Sequence, residues 1–205
     1  MELANLSYLQ TLVNVQPETI QIPTWFELNR LRVLKVRSGS NRRAQDAMQM
    51  LISRCPLIEK LNLYDPVKKL PEAHQFSPNL AKLTLWRTFL EEDPMPTLET
   101  LPNLKILRLS RYSFDGKDMV CSEGGFPLLQ YLLLDFLYYL EEWRVEEGAM
   151  PNLCHLEIRY CDLLNTIPDG LRFITTLQKL KIDDEDRLHE VKHVPSLVFE
   201  NCDRE

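Results

Sequence analysis

Glycine is scarce in this 205-residue chain, with only six residues in all. That leaves little material for the Gly-rich turns that cradle phosphates. The single Gly-Lys pair, Gly116-Lys117, has Arg111 where the first glycine of G-x-x-x-x-G-K belongs, so nucleotide binding is not expected of these residues. Basic excess is missing too. Lys and Arg total 24 against 30 Asp and Glu, a net charge of −6, which argues against nucleic acid as a partner. No apolar run approaches the roughly 20 residues that span a bilayer. The longest, residues 128–140, is broken by Gln130 and Asp135, so no transmembrane segment is expected. The opening MELANLSYLQ lacks the basic stretch and apolar core of a secretory signal. The five cysteines (Cys55, Cys121, Cys154, Cys161 and Cys202) are odd in number and irregular in spacing. They read as reduced, mostly buried thiols of an intracellular protein.

Leucine, by contrast, occurs 37 times, about 18% of the chain. Its spacing is periodic. Leu28, Leu31, Leu34 and Val36 spell L-x-x-L-x-x-L-x-V, and the fullest copy is Leu98, Leu101, Leu104, Leu107 and Leu109. Equivalent leucines at 34, 61, 83, 107, 132, 156 and 180 are separated by 27, 22, 24, 25, 24 and 24 residues. All these steps fall within the 20–29 range of leucine-rich repeats. In L-x-L both apolar residues point to one face of a strand, and no repeat can bury its own leucines except against its neighbours. The expected fold is an α/β leucine-rich repeat solenoid, with a curved parallel sheet on the concave side and irregular loops and short helices on the convex side. Residues 1–205 read as one such domain, with about seven good repeats between 28 and 182 and degenerate ones at 3–15 and 194–202.

Local signals refine this picture. Ala44, Ala47, Met48, Leu51 and Ile52 form a 3.6-period stripe that predicts a helix over residues 41–54, capped by Ser40 or Asn41 and followed by Pro56. The consensus Asn or Cys three residues after the second leucine is met only by Cys161 and Cys202, so irregular convex segments are expected. The acidic runs Glu91-Glu92-Asp93, Glu141-Glu142, Glu146-Glu147 and residues 183–186 read as solvated loops. At the amino end, Leu3, Leu6 and Leu9 have no polar cap before them, which raises the expectation of preceding protein or a docked partner.

Several stretches resemble one family closely. LEEDPMPTLETLPNLKILRL (residues 90–109), MVCSEGGFPLLQYLLL (119–134), LEEWRVEEGAMPNLCHLEI (140–158), IPDGLRFITTLQKLKI (167–182) and VKHVPSLVF (191–199) are similar to segments of plant intracellular NLR immune receptors of the coiled-coil class, those resembling downy-mildew resistance proteins. The resemblance implies a C-terminal leucine-rich repeat domain of such a receptor. Its role there is to help hold the nucleotide-binding switch at rest and to take part in sensing pathogen effectors. It implies protein partners: the switch domain of the same or a related receptor, a pathogen effector or a guarded host protein. It further implies a cytoplasmic location, with peripheral placement at the plasma membrane in the context of a full receptor. A stand-alone repeat adaptor or decoy derived from a truncated receptor gene is the alternative.

The repeat itself nominates a binding face. Residues before, between and after each apolar pair point away from the core, and among them stand Lys60, Tyr64, Lys82, Trp86, Ile106, Arg108, Tyr131, Leu133 and Arg159. Tyr, Trp and Arg dominate protein–protein hot spots, so these nine are the candidate partner-binding residues. No catalytic residue, metal ligand or cofactor is expected. Cys154 and His155 are strand neighbours with opposite orientations. A zinc site of Cys154, Cys161, His189 and His193 lacks the C-x-x-C pairing of such sites.

Overall fold

Each L-x-L pair becomes the centre of a short strand. The computed structural model describes residues 8–19, 27–37, 39, 41–182 and 198–199. Leu3, Leu6, Ser40, the 183–186 run, His189, His193 and Cys202 lie outside the described residues. The strands are β1 (Thr11–Val15), β2 (Val33–Arg37), β3 (Lys60–Tyr64), β4 (Lys82–Trp86), β5 (Ile106–Ser110), β6 (Asp118–Cys121), β7 (Tyr131–Asp135), β8 (Glu142–Val145), β9 (His155–Arg159), β10 (Lys179–Ile182) and β11 (Val198–Phe199). Nine form one sheet in the order β1-β2-β3-β4-β5-β7-β9-β10-β11. Every pairing in it is parallel.

The register follows the leucine spacing. Leu12, Leu34, Leu61, Leu83, Leu107, Leu132, Leu156, Leu180 and Phe199 stand side by side across the sheet. From Leu34 to Leu180 these side chains are essentially inaccessible to water. Burying each contributes on the order of 2 kcal/mol, and no strand alone could do so.

A second layer covers the inner face of the sheet. It consists of α1 (Arg42–Ser53), a 3₁₀ turn at Ala73–Gln75, α2 (Met95–Leu98), β6, β8 and a 3₁₀ turn at Asp169–Phe173. Helix α1 lies where the apolar stripe predicts it. The Asn41 side chain caps it, accepting a bond from the Ala44 N–H at 2.9 Å. Two returns are more regular than the missing consensus residues suggest, because β6 and β8 pair in parallel. The cause is a two-residue period confined to these repeats: Met119 and Cys121, then Trp143 and Val145, all face the core. The Trp143 indole N–H reaches the Cys121 sulfur at 3.5 Å. Burial pushes the Cys121 and Cys55 thiols up to about 12, so both remain protonated packing groups.

The absent asparagine ladder has a substitute on the other side of the strands. Asn103 Nδ2 donates to the Pro78 carbonyl at 2.8 Å, Asn152 Nδ2 to Pro127 at 2.7 Å, and Thr176 Oγ1 to Pro151 at 3.1 Å. Each ties one repeat to the preceding one. At the opposite strand ends, Asp65, Arg87, Arg111, Phe136 and Tyr160 all adopt positive φ although none is glycine. That conformation costs about 1 kcal/mol per residue. Hydrogen bonds into the next repeat offset it, including Arg111 N–H to Asp135 O at 2.8 Å and Phe136 N–H to Arg159 O at 2.9 Å.

One acidic run is only partly solvated. Glu91 and Glu92 are exposed, but Asp93 is half-buried. Its Oδ1 accepts the Met95 N–H and its Oδ2 the Val120 N–H, both at 2.9 Å, which locks the start of α2 to β6. Glu99 accepts the Ser122 N–H at 2.9 Å in the same manner. Burial raises the Asp93 carboxyl above the usual range, against the two N–H donors that favour its charge. Replacing Asp93 by alanine leaves two N–H groups without this acceptor, an expected loss of about 2 kcal/mol. Asp93→Asn, which keeps one acceptor, costs less. Urea denaturation of both variants checks this, and equal midpoints for wild type and Asp93→Ala would show that Asp93 bridges nothing of consequence.

Candidate recognition surface

The face of the sheet opposite the core is ordered in three rows by the parallel register. The first row runs Val33, Lys60, Lys82, Ile106, Tyr131, His155 and Lys179; the second runs Lys35, Asn62, Thr84, Arg108, Leu133, Glu157 and Lys181. The third runs Arg37, Tyr64, Trp86, Ser110, Asp135 and Arg159. All nine candidate residues therefore stand on this one face, with adjacent strands about 4.8 Å apart.

Their environments differ. Lys60 is exposed, while Tyr64, Lys82, Trp86, Ile106, Arg108, Tyr131 and Arg159 are half-buried. Tyr64 and Trp86 meet edge to face with ring centroids 5.9 Å apart. Leu133 differs from expectation: it is only 8% exposed and offers little area to a partner. It is flanked in register by Arg108 and Glu157, whose longer side chains shade it.

Electrostatically, the face divides in two. Towards β7 and β9, charges are matched internally. The Arg108 guanidinium lies over the Tyr131 ring at 5.0 Å, the Tyr131 hydroxyl bonds to Glu157, and Glu157 pairs with Arg159. Burial first, and then the Glu157 charge, push the Tyr131 hydroxyl above its ordinary value. Towards β2–β4, Lys35, Lys60 and Lys82 share the face with Asn62, Thr84 and the two rings. The cation at its rim, Arg37, pairs with Asp65 at 3.1 Å.

The repeat pattern did not single out a second aromatic group, which lies where the chain leaves the strands. Phe89 stacks near Tyr112 at 5.9 Å, Tyr112 near Tyr138 at 5.0 Å, and Phe136 stacks on Tyr160 at 4.2 Å. Phe136 also meets Tyr138 at 5.7 Å, and Arg111 lies over Phe136 at 4.9 Å. These rings continue the sheet face around its rim. The signal that could have found them is position: Phe136 and Tyr160 each follow a strand directly. Elsewhere, a groove of about 640 Å³ between β8 and the Asp169–Phe173 turn shares no lining residue with the sheet face. No helix among the described residues is long and apolar enough to cross a membrane.

No family model matches the chain. Individual relatives do. Disease resistance RPP8-like protein 3 of Arabidopsis thaliana is 43% identical over 158 residues, covering 72% of this chain and 18% of the relative. Disease resistance protein RPP8 of the same plant is 43% identical over 159 residues, again 72% of this chain and 18% of the relative. Disease susceptibility protein LOV1, also from Arabidopsis thaliana, is 32% identical across 99% of this chain and 26% of its own length. The chain thus spans about a fifth to a quarter of the length of these relatives. Identity at this level through most of a leucine-rich repeat solenoid means that the chain belongs with the plant NLR disease resistance proteins, as a leucine-rich repeat region of that family.

Proposed function

We propose that residues 1–205 act as a single leucine-rich repeat recognition domain in plant innate immunity, without catalysis of their own. The domain senses a pathogen effector or a guarded host protein inside the cell, and it restrains the nucleotide-binding switch of the receptor to which it belongs. The observation carrying this reading is the register. Tyr64, Trp86, Arg108 and Tyr131 come from four different strands onto one solvent-facing surface. A packed core needs none of them there, whereas a protein interface draws its binding energy from such residues.

The double variant Trp86→Ala with Arg108→Ala tests it. Both side chains lie outside the core, so circular dichroism and the melting temperature stay close to wild type. Partner binding, or restraint of an assembled receptor carrying this region, weakens by at least about tenfold, the cost of losing one strong hot spot. A receptor with wild-type resting activity and wild-type response, on a well-folded variant, means that the sheet face is not the interface.

A further inference from the structure

Among the described residues, the half of the sheet face formed by β2–β5 carries positive charge with no carboxylate on the same strands, and Arg108 stands at its boundary with the charge-matched half. Lys35, Lys60, Lys82 and Arg108 occupy neighbouring register positions on four adjacent strands. No aspartate or glutamate stands on that face of those strands. Among the described residues, the nearest carboxylates on the face, Asp135 and Glu157, belong to β7 and β9, and Glu157 is engaged by Arg159. The Arg108 Nε is buried and makes no hydrogen bond. Lys82 shows the cost of this arrangement. Its ammonium is held below the ordinary lysine range, first by burial and then by repulsion from Arg108, Lys60 and Lys35. Concentrating cations in this way is unusual on a chain whose net charge is −6.

We propose that the strip of Lys35, Lys60, Lys82 and Arg108, bordered by Tyr64 and Trp86, binds an extended acidic segment of a partner protein. This rests on the reading of the sheet face as a protein-recognition surface and specifies the chemistry of what is recognised. Charge complementarity sets the sign of the partner. The spread of the cations across four strands, roughly 14 Å at about 4.8 Å per strand, suits a chain laid across the sheet better than one compact phosphate group. Phosphate sites also offer backbone N–H donors, and here the strand amides are committed to the parallel ladders. Tyr64 and Trp86 supply apolar area beside the charges, which a peptide's side chains can use.

The test uses the whole chain and a fluorescein-labelled decaglutamate peptide, followed by fluorescence anisotropy. The peptide is expected to bind wild type and to weaken about threefold or more between 50 and 150 mM salt, as exposed charges are screened. The triple variant Lys35→Glu, Lys60→Glu, Lys82→Glu is expected to lose at least about tenfold in affinity. Lys68→Glu, Lys69→Glu, Lys105→Glu makes the same change in net charge at exposed positions off the strip, and it should retain wild-type affinity. Equal loss in both triple variants, or no peptide binding by wild type, overturns the proposal. So does tighter binding of tripolyphosphate or of single-stranded oligothymidine than of the peptide. The wider reading is separable. If Trp86→Ala with Arg108→Ala impairs the assembled receptor while the lysine reversals change neither it nor peptide binding, the sheet face is an interface but its partner is not acidic.

Discussion

Leu107→Asp leaves no folded solenoid. Leu107 is wholly buried on β5, in register between Leu83 on β4 and Leu132 on β7. A carboxylate there has no cation or hydrogen-bond donor to compensate its lost hydration, and the penalty is at least several kcal/mol. Stabilities of natural domains are only about 5–15 kcal/mol. Position adds to the damage. In a repeat array each unit is stable only through its neighbours, so a break at β5 separates β2–β4 from β7–β10 and leaves two fragments with freshly exposed leucine edges. Circular dichroism and size exclusion read the outcome: loss of the cooperative melt and soluble aggregate in place of the wild-type elution peak. Lys105→Asp serves as the control, two residues earlier in sequence but exposed, and is expected to stay within about 0.5 kcal/mol of wild type. A near-native melt for Leu107→Asp would mean that the repeat register is mistaken.

The second large effect comes from adding a single methyl group. A Cβ placed on Gly170 would sit 1.8 Å from the carbonyl oxygen of Val145 and 2.7 Å from its carbonyl carbon. These are backbone atoms of β8, so no rotamer change relieves the contact. The chain must instead lift the Asp169–Phe173 turn away from the strand, which exposes Leu171, wholly buried in the native fold. Gly170→Ala is therefore expected to cost about 3 kcal/mol or more, the upper end of what overpacking usually costs. A urea titration with an unchanged slope separates this loss of stability from a change in the unfolded state. A difference under about 1 kcal/mol would show that the turn does not dock on β8.

The contrast between these two sites marks what could be read in advance. Leu107 is legible because its neighbours repeat at a fixed step, and the L-x-L period assigns its direction without any coordinates. Gly170 is not. It appears in sequence as part of a Pro168-Asp169-Gly170 turn, and only the docking of that turn against Val145 makes it indispensable. The same distinction applies to the face. Alternation places Tyr64, Trp86, Arg108 and Tyr131 on one surface, whereas the shading of Leu133 depends on the lengths of neighbours one strand away. The rim rings Phe89, Tyr112, Phe136, Tyr138 and Tyr160 follow no strand period, because they lie beyond the strand ends where alternation has ended, all but Tyr138 with left-handed backbone. Asp93 looks like one of three consecutive acids until its two amide partners, one of them 27 residues later, are seen.

The solenoid, its repeat register, helix α1 and the set of side chains on the outward face of the sheet are thus legible from periodicity alone. Each of these follows from a period in which like residues recur and can bury their apolar side chains only by stacking. The β6–β8 ladder, the Asn103, Asn152 and Thr176 ties, the role of Asp93 and the division of the sheet face into a charge-matched part on β5–β9 and a lysine-rich part on β2–β4 emerge only from the packing of one repeat on the next. Those depend on distances between residues of different repeats, and a one-dimensional period carries no information about which side chains of neighbouring turns come within bonding range.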